Sequence, residues 1–141
     1  MQRNILFGIL IFILILPSSC RREEHPVPYV PVQIVLHVSD PQFMPINAIG
    51  GSTYYYGGSR GLVIYRQSQD EFVTFDRHCP FQPENSCGRV MFDTTASFNL
   101  VDTCCGSKFL IMDGTVQVGP ARTPLRRYHT EYDGVRITIT N

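Results

Sequence analysis

The chain is poor in lysine: Lys108 is the only one among 141 residues, and no basic cluster forms anywhere along it. That excludes a phosphate-tracking surface, because nucleic-acid binding draws its affinity from gathered Lys and Arg side chains. Helical periodicity is equally scarce. Beyond the first twenty residues no segment of useful length repeats its apolar positions at helical spacing, which excludes a helix bundle. Internal repeats and low-complexity tracts are missing, so a solenoid is excluded too. No Ser/His/Asp constellation is visible; His25, His37 and His129 are scattered and read as surface or core histidines.

What is present begins with a targeting segment. Arg3 precedes an unbroken apolar run from Ile5 to Leu16. Twelve residues of helix rise only about 18 Å, short of the roughly 20 residues that a bilayer core requires. The run therefore reads as the core of a signal peptide spanning residues 1–19. Its end, Leu16-Pro17-Ser18-Ser19-Cys20, resembles the lipobox, in which the cysteine is lipidated and becomes the first residue of the mature chain. Removal of the signal takes away Arg3 and no acid, leaving a net charge near −1 from a chain that starts neutral. Residues 20–31 are charged and proline-rich, which suits a flexible tether. A single domain is expected over 32–141.

Four cysteines follow Cys20, namely Cys79, Cys87, Cys104 and Cys105. Export places them in an oxidising compartment, where an even number is read first as disulfides. Adjacent Cα atoms lie about 3.8 Å apart, below the usual disulfide range, so a Cys104–Cys105 bond is disfavoured. Two bridges between the Cys79/Cys87 segment and the Cys104/Cys105 segment are expected.

Between these points the chain alternates short β-rich runs with Gly, Asp and Pro, the pattern of an all-β sandwich or barrel. The first run carries Val32, Val35, Leu36 and Val38, and residues 40–52 read as a loop. Further strands are expected at Thr53–Tyr56, Leu62–Arg66, Phe72–Phe75, Arg89–Phe92, Phe109–Met112, Thr115–Val118, Arg126–Tyr132 and Val135–Thr140. Asp113-Gly114 and Asp133-Gly134 are two-residue hairpin signals. Tyr54-Tyr55-Tyr56, next to Gly57-Gly58, reads as a strand end packed on one face or as a binding surface.

Two loops hold the four cysteines: Cys79-Pro-Phe-Gln-Pro-Glu-Asn-Ser-Cys87 and Asp102-Thr-Cys-Cys-Gly-Ser-Lys-Phe109. The second leads to Asp113-Gly114, Gly119-Pro-Ala, Pro124-Leu125 and Tyr128. Over roughly residues 60–141 this arrangement resembles the Rieske iron-sulfur family, whose loops read Cys-x-His with a following Cys, and Cys-Pro-Cys-His-Gly-Ser-x-Phe. The resemblance implies a small antiparallel β sandwich or barrel with a two-loop cysteine subdomain. Its cluster-ligand positions fall on Cys79, Phe81, Asp102 and Cys105, of which only Cys79 keeps the family's residue. A Rieske cluster needs two cysteines on one iron and two histidines on the other. Phe81 has no lone pair, and Asp102 is a hard oxygen where a soft thiolate belongs. The family's loop-clipping cysteine pair falls on Cys87 and Cys104. With that bond made, Cys79 and Cys105 face each other across the cluster position, which implies a second bridge with Phe81 filling apolar space beside it. Ser107, at the family's hydrogen-bonding position, reads as a turn hydroxyl.

These readings together imply an envelope lipoprotein with degenerate cluster ligands and no cofactor. It would be lipid-anchored at the periplasmic face or outer membrane, a structural or binding module rather than an enzyme. Its partners would be the membrane, through the lipid, and an envelope protein or ligand. Alternatives remain open: a 2Fe-2S electron carrier with altered ligands, a metal site rebuilt from Cys79, Cys105, Asp102 and His78, a thiol-disulfide redox protein, or a different fold.

Overall fold

Two segments of this chain are apolar on both faces. Leu62–Arg66 reads Leu-Val-Ile-Tyr-Arg and Phe72–Asp76 reads Phe-Val-Thr-Phe-Asp, and nearly every residue of each is buried. Strand side chains alternate between faces, so such strands must lie between two cores. The computed structural model, which describes residues 24–141, shows this arrangement. Leu62, Ile64 and Phe72 enter one core with Leu36, Phe43, Tyr128, Ile137 and Ile139. Val63, Tyr65, Val73 and Phe75 enter the other with Cys79, Val90, Leu100, Phe109 and Leu125.

The protein is all-β. In chain order its strands are β1 Gln33–His37, β2 Ser52–Tyr55, β3 Leu62–Arg66, β4 Phe72–Asp76, β5 Val90–Phe92, β6 Asn99–Asp102, β7 Lys108–Leu110, β8 Val116–Val118, β9 Arg127–Tyr132 and β10 Arg136–Thr140. Six form a curled antiparallel sheet in the order β1-β10-β9-β4-β3-β2, and four form a second sheet in the order β5-β6-β7-β8. The small second sheet carries the cysteine loops. One loop joins β4 to β5, and the other is the turn between β6 and β7.

The expected strands recur within one or two residues, with instructive exceptions. β6 was not anticipated, because only Leu100 and Val101 are apolar in it and its inward partner to Leu100 is an acid, Asp102. The expected loop at 40–52 contains a short 3-10 helix, Pro41–Ile46, whose Phe43 and Ile46 plug the first core. In β1 the inward face is Leu36 with Val32 and Val38 beyond the strand's ends, while Val35 points to solvent. Both Asp-Gly hairpins form, but each turn is longer than two residues. Asp113 accepts the Thr115 N–H and Asp133 accepts the Val135 and Arg136 N–H groups, so the aspartates brace wider loops. Gly114 is required there, at φ 76°, since a Cβ would collide with the Phe75 ring.

The tether expectation is corrected over its described part. Cys20 and the signal segment 1–19 lie outside the described residues, but residues 25–31 are docked on the domain. Val27 is fully buried. Its carbonyl accepts from Arg126 at 2.6 Å. Asn141 accepts the Val32 N–H and donates to the Val30 carbonyl, joining this segment to the chain's last residue. His25 donates through Nε2 to the Pro124 carbonyl at 3.0 Å and accepts the Val27 N–H at Nδ1 at 3.1 Å.

That ring geometry needs the neutral imidazole. Burial, the largest influence, holds the His25 pKa below its ordinary 6.5. The folded state thus binds the proton less readily than the unfolded chain, and the stabilisation is whole above pH 6.5 and is lost as pH falls through the lowered folded value. Hydrogen exchange at the Val27 amide is expected to accelerate between pH 7 and 5 beyond its intrinsic pH trend, and His25→Gln should remove that excess acceleration.

Candidate functional site

The site is organised from beneath by an acid. Alternation along β4 puts Asp76 on the same inward face as Phe72 and Thr74, and it is completely buried. Its carboxylate accepts from the Ser59 N–H at 2.6 Å, the Arg60 N–H at 3.2 Å, the His78 N–H at 2.8 Å and the Tyr128 hydroxyl at 2.9 Å. One side chain thereby joins the β2–β3 turn, the start of the first cysteine loop and β9. Burial followed by the nearby Asp76 charge pushes the Tyr128 phenol up, so it stays a donor.

The first loop is then held by two side chains. Arg60 donates to the carbonyls of Asn85 at 2.6 Å, Gly88 at 2.7 Å and Pro83 at 3.0 Å. His78 donates through Nε2 to the Pro83 carbonyl at 2.7 Å, and its Nδ1 accepts the Ser59 hydroxyl at 2.8 Å. Both nitrogens of His78 are thus occupied, one by the loop and one by the β2–β3 turn.

The two loops meet at the sulfurs. Cys87 and Cys104 are disulfide-bonded, with Cα atoms 5.7 Å apart, the pairing implied by the resemblance. Cys79 and Cys105 are free thiols whose sulfurs lie 3.9 Å apart; the second bridge expected from the sequence is not formed in this structure. The separation is van der Waals contact, well beyond the bond length of about 2.05 Å. Burial raises the Cys79 thiol pKa strongly, with the Asp102 side chain adding to the effect. Lys108, the one lysine near the loops, is committed to Asp93 at 2.7 Å and holds that carboxyl well below its usual range. Cys79 is therefore held as a thiol rather than a reactive thiolate.

Asp102 completes the group. It is fully buried, and its carboxylate accepts the Cys104 N–H at 2.8 Å and lies 3.3 Å from the Cys105 sulfur. No cationic side chain pairs with it among the described residues. The donor atoms of Cys79, Asp102 and Cys105 all lie within 4.8 Å of one another. Phe81 packs against the second core beside them. Ser107 is more than a turn hydroxyl: buried, it lies 3.0 Å from the Cys105 sulfur and accepts the Ala121 N–H at 2.9 Å, which pins the Gly119-Pro-Ala segment to the second loop.

Sequence reading missed Asp76 and Arg60. Asp76 was legible in principle, since an acid in phase with the inward residues of an apolar strand must find donors. Arg60 carried no such signal.

No protein-family model matches the chain, and no curated protein does. The likeness is in solved structures. The plasma membrane Rieske protein PetC3 of the cyanobacterium Synechocystis PCC 6803 superposes with a TM-score of 0.57 at 18% identity, over 77% of this chain and 99% of that one. The ferredoxin of carbazole 1,9a-dioxygenase from Nocardioides aromaticivorans IC177 aligns at 0.48 and 16%, over 79% of this chain and 98% of that one. A ferredoxin of Sphingomonas yanoikuyae B1 aligns at 0.42 and 21%, over 64% and 84% respectively. The first of these shows that the chain has a Rieske-like fold. The donor group between its loops, Cys79, Asp102 and Cys105, is not the two cysteines and two histidines that hold a Rieske cluster.

Replacing Asp76 by Ala leaves buried backbone donors unpaired on two loops, and is expected to destabilise the fold by about 2–5 kcal/mol. Tyr128→Phe, which removes a single donor, should cost about 1 kcal/mol. Urea unfolding of the two variants beside the parent protein checks the order.

Proposed function

We propose that this chain is an envelope lipoprotein, anchored through a lipid on Cys20, whose Rieske-like domain works without a 2Fe-2S cluster as a disulfide-stabilised structural or binding module. The observation that carries the reading is Phe81. By the resemblance it stands at a ligand-histidine position, and it packs against the apolar core that includes Cys79, so that one of the four ligand positions offers packing in place of a donor. The Cys87–Cys104 bond supports the loops in place of a cluster. It closes a loop across a sequence separation of 17. By chain entropy that is worth roughly 3 kcal/mol.

One observation favours a second reading for the same three donors. Two thiolates on one tetrahedral ion, with bonds of about 2.3 Å, stand roughly 3.8 Å apart. The Cys79 and Cys105 sulfurs are at 3.9 Å, and Asp102 is a buried acid with no cationic partner among the described residues. Zinc held by Cys79, Cys105 and Asp102 would suit that spacing and charge.

The purified protein is expected to be colourless and iron-free. Absorbance between about 400 and 600 nm together with two irons per chain overturns the cluster-free reading, whereas one zinc per chain establishes the second. Thiol alkylation of the metal-free protein under denaturing, non-reducing conditions should modify Cys79 and Cys105; no modified thiol would mean that they form the second bridge.

For the anchor, cells fed a clickable fatty-acid analogue are expected to label the parent chain and not Cys20→Ala. Labelling of both chains removes Cys20 as the acceptor.

A further inference from the structure

A cleft of about 690 Å³ opens between the β2–β3 turn and the base of the first cysteine loop. None of the described cysteines lines it. Arg77 and Arg89 do, with Tyr54, Tyr56 and backbone of Gly57, Gly58 and Gly61, and among the described residues no carboxylate lines the space.

Arg77 is the unusual residue. It is only 7% exposed, yet no acid pairs with it among the described residues. Its Nε donates to the Val90 carbonyl at 3.0 Å, and its guanidinium carbon sits 3.6 Å from the centroid of the Tyr54 ring. Tyr54 is itself immobilised. Its ring stacks on Phe92 at 4.3 Å, and its hydroxyl accepts the Phe92 N–H at 2.7 Å. The guanidinium is therefore fixed in place while its two Nη groups have no protein acceptor among the described residues. Arg89 lies next to it, likewise unpaired, and its charge acts unfavourably on Arg77. A third arginine, Arg60, is excluded as a ligand group because the loop carbonyls occupy it.

The wall between the two arginines is kept bare. Gly61 adopts φ 91°, and a Cβ there would lie 3.3 Å from Nη2 of Arg89 and 3.7 Å from Cδ of Arg77. At the rim Tyr56 is 89% exposed, its ring edge-on to Tyr55 at 6.2 Å. A buried, pre-positioned guanidinium without an anion, a second beside it, and an exposed aromatic ring at the mouth form a receptor with its counter-charge missing.

We propose that this cleft binds an organic carboxylate with a flat body, the carboxylate on the free edges of Arg77 and Arg89 and the body against Tyr56. The planar guanidinium matches a planar carboxylate in paired hydrogen bonds. The site is separate from the sulfur group, and its existence does not depend on whether that group holds a metal.

The test is calorimetric titration of the full chain with benzoate, acetate and inorganic phosphate. Benzoate is expected to saturate, and to bind more tightly than acetate or phosphate. Arg89→Gln, at an exposed position with an unchanged melting temperature, should weaken benzoate at least about tenfold, the loss of a charge-assisted hydrogen bond. Tyr56→Ala should weaken benzoate severalfold and leave acetate unaffected. Arg77→Gln should abolish binding; should it also unfold the domain, the Arg89 and Tyr56 variants decide alone. No saturation by benzoate up to about 10 mM, which corresponds to a binding free energy weaker than roughly −3 kcal/mol, overturns the proposal. So does unchanged affinity in Arg89→Gln, or phosphate binding as tight as benzoate.

Discussion

The buried carboxylate of Asp76 is the interaction on which the rest of the molecule depends. Burying a charge is unfavourable unless donors replace the lost water. Here the replacements come from the β2–β3 turn, from His78 and from β9, so satisfying one acid fixes the relative position of three otherwise separate segments. Gly58 leaves the room this requires: at φ 61° it passes so close to the carboxylate and the Tyr128 hydroxyl that a Cβ would overlap both. The acid, the glycine and the tyrosine form one unit. Arg60 and His78 then transmit its rigidity to the first cysteine loop through carbonyl hydrogen bonds.

Most of what holds the cysteine loops is thus separate from the three donor atoms that lie between them. The first loop takes its shape from Asp76 and Arg60, the Cys87–Cys104 bond clips it to the second, and Asp102 holds the second through the Cys104 N–H. Ser107 illustrates the same separation, because its hydroxyl ties the second loop to Ala121 whatever lies beyond the Cys105 sulfur.

Much of this was legible in the sequence, and what was not had physical causes. Strong β-rich runs bounded by Gly and Asp placed nine strands to within a residue or two, because alternation and turn chemistry act locally. β6 escaped since its inward residues are one leucine and one acid, so it carries no apolar alternation to read. The resemblance in the cysteine loops led to the Cys87–Cys104 pairing, and ligand chemistry singled out Phe81. The docking of residues 25–31 was illegible: Val27 lies between prolines that read as an extended tether, and the segment is held by Arg126 at the Val27 carbonyl and by Asn141 at the Val30 carbonyl, about a hundred residues away. Arg77 was likewise invisible, because what distinguishes it is the absence of a partner in space.

The docked N-terminal segment has a mechanical consequence. Its hydrogen bonds run to Pro124, Arg126 and Asn141, near or at the far end of the chain, and β1 pairs with β10, the last strand. Tension applied through the N-terminus therefore does not reach the edge strand first. It must extract Val27 from its buried position and break the His25 and Arg126 bonds before the β1–β10 ladder carries load. Proline at 26, 28 and 31 keeps this strip from joining the sheet by its own N–H groups, so it acts as a fuse in series with the domain: a pull that releases residues 25–31 lengthens the chain while the cysteine loops and the arginine cleft keep their geometry.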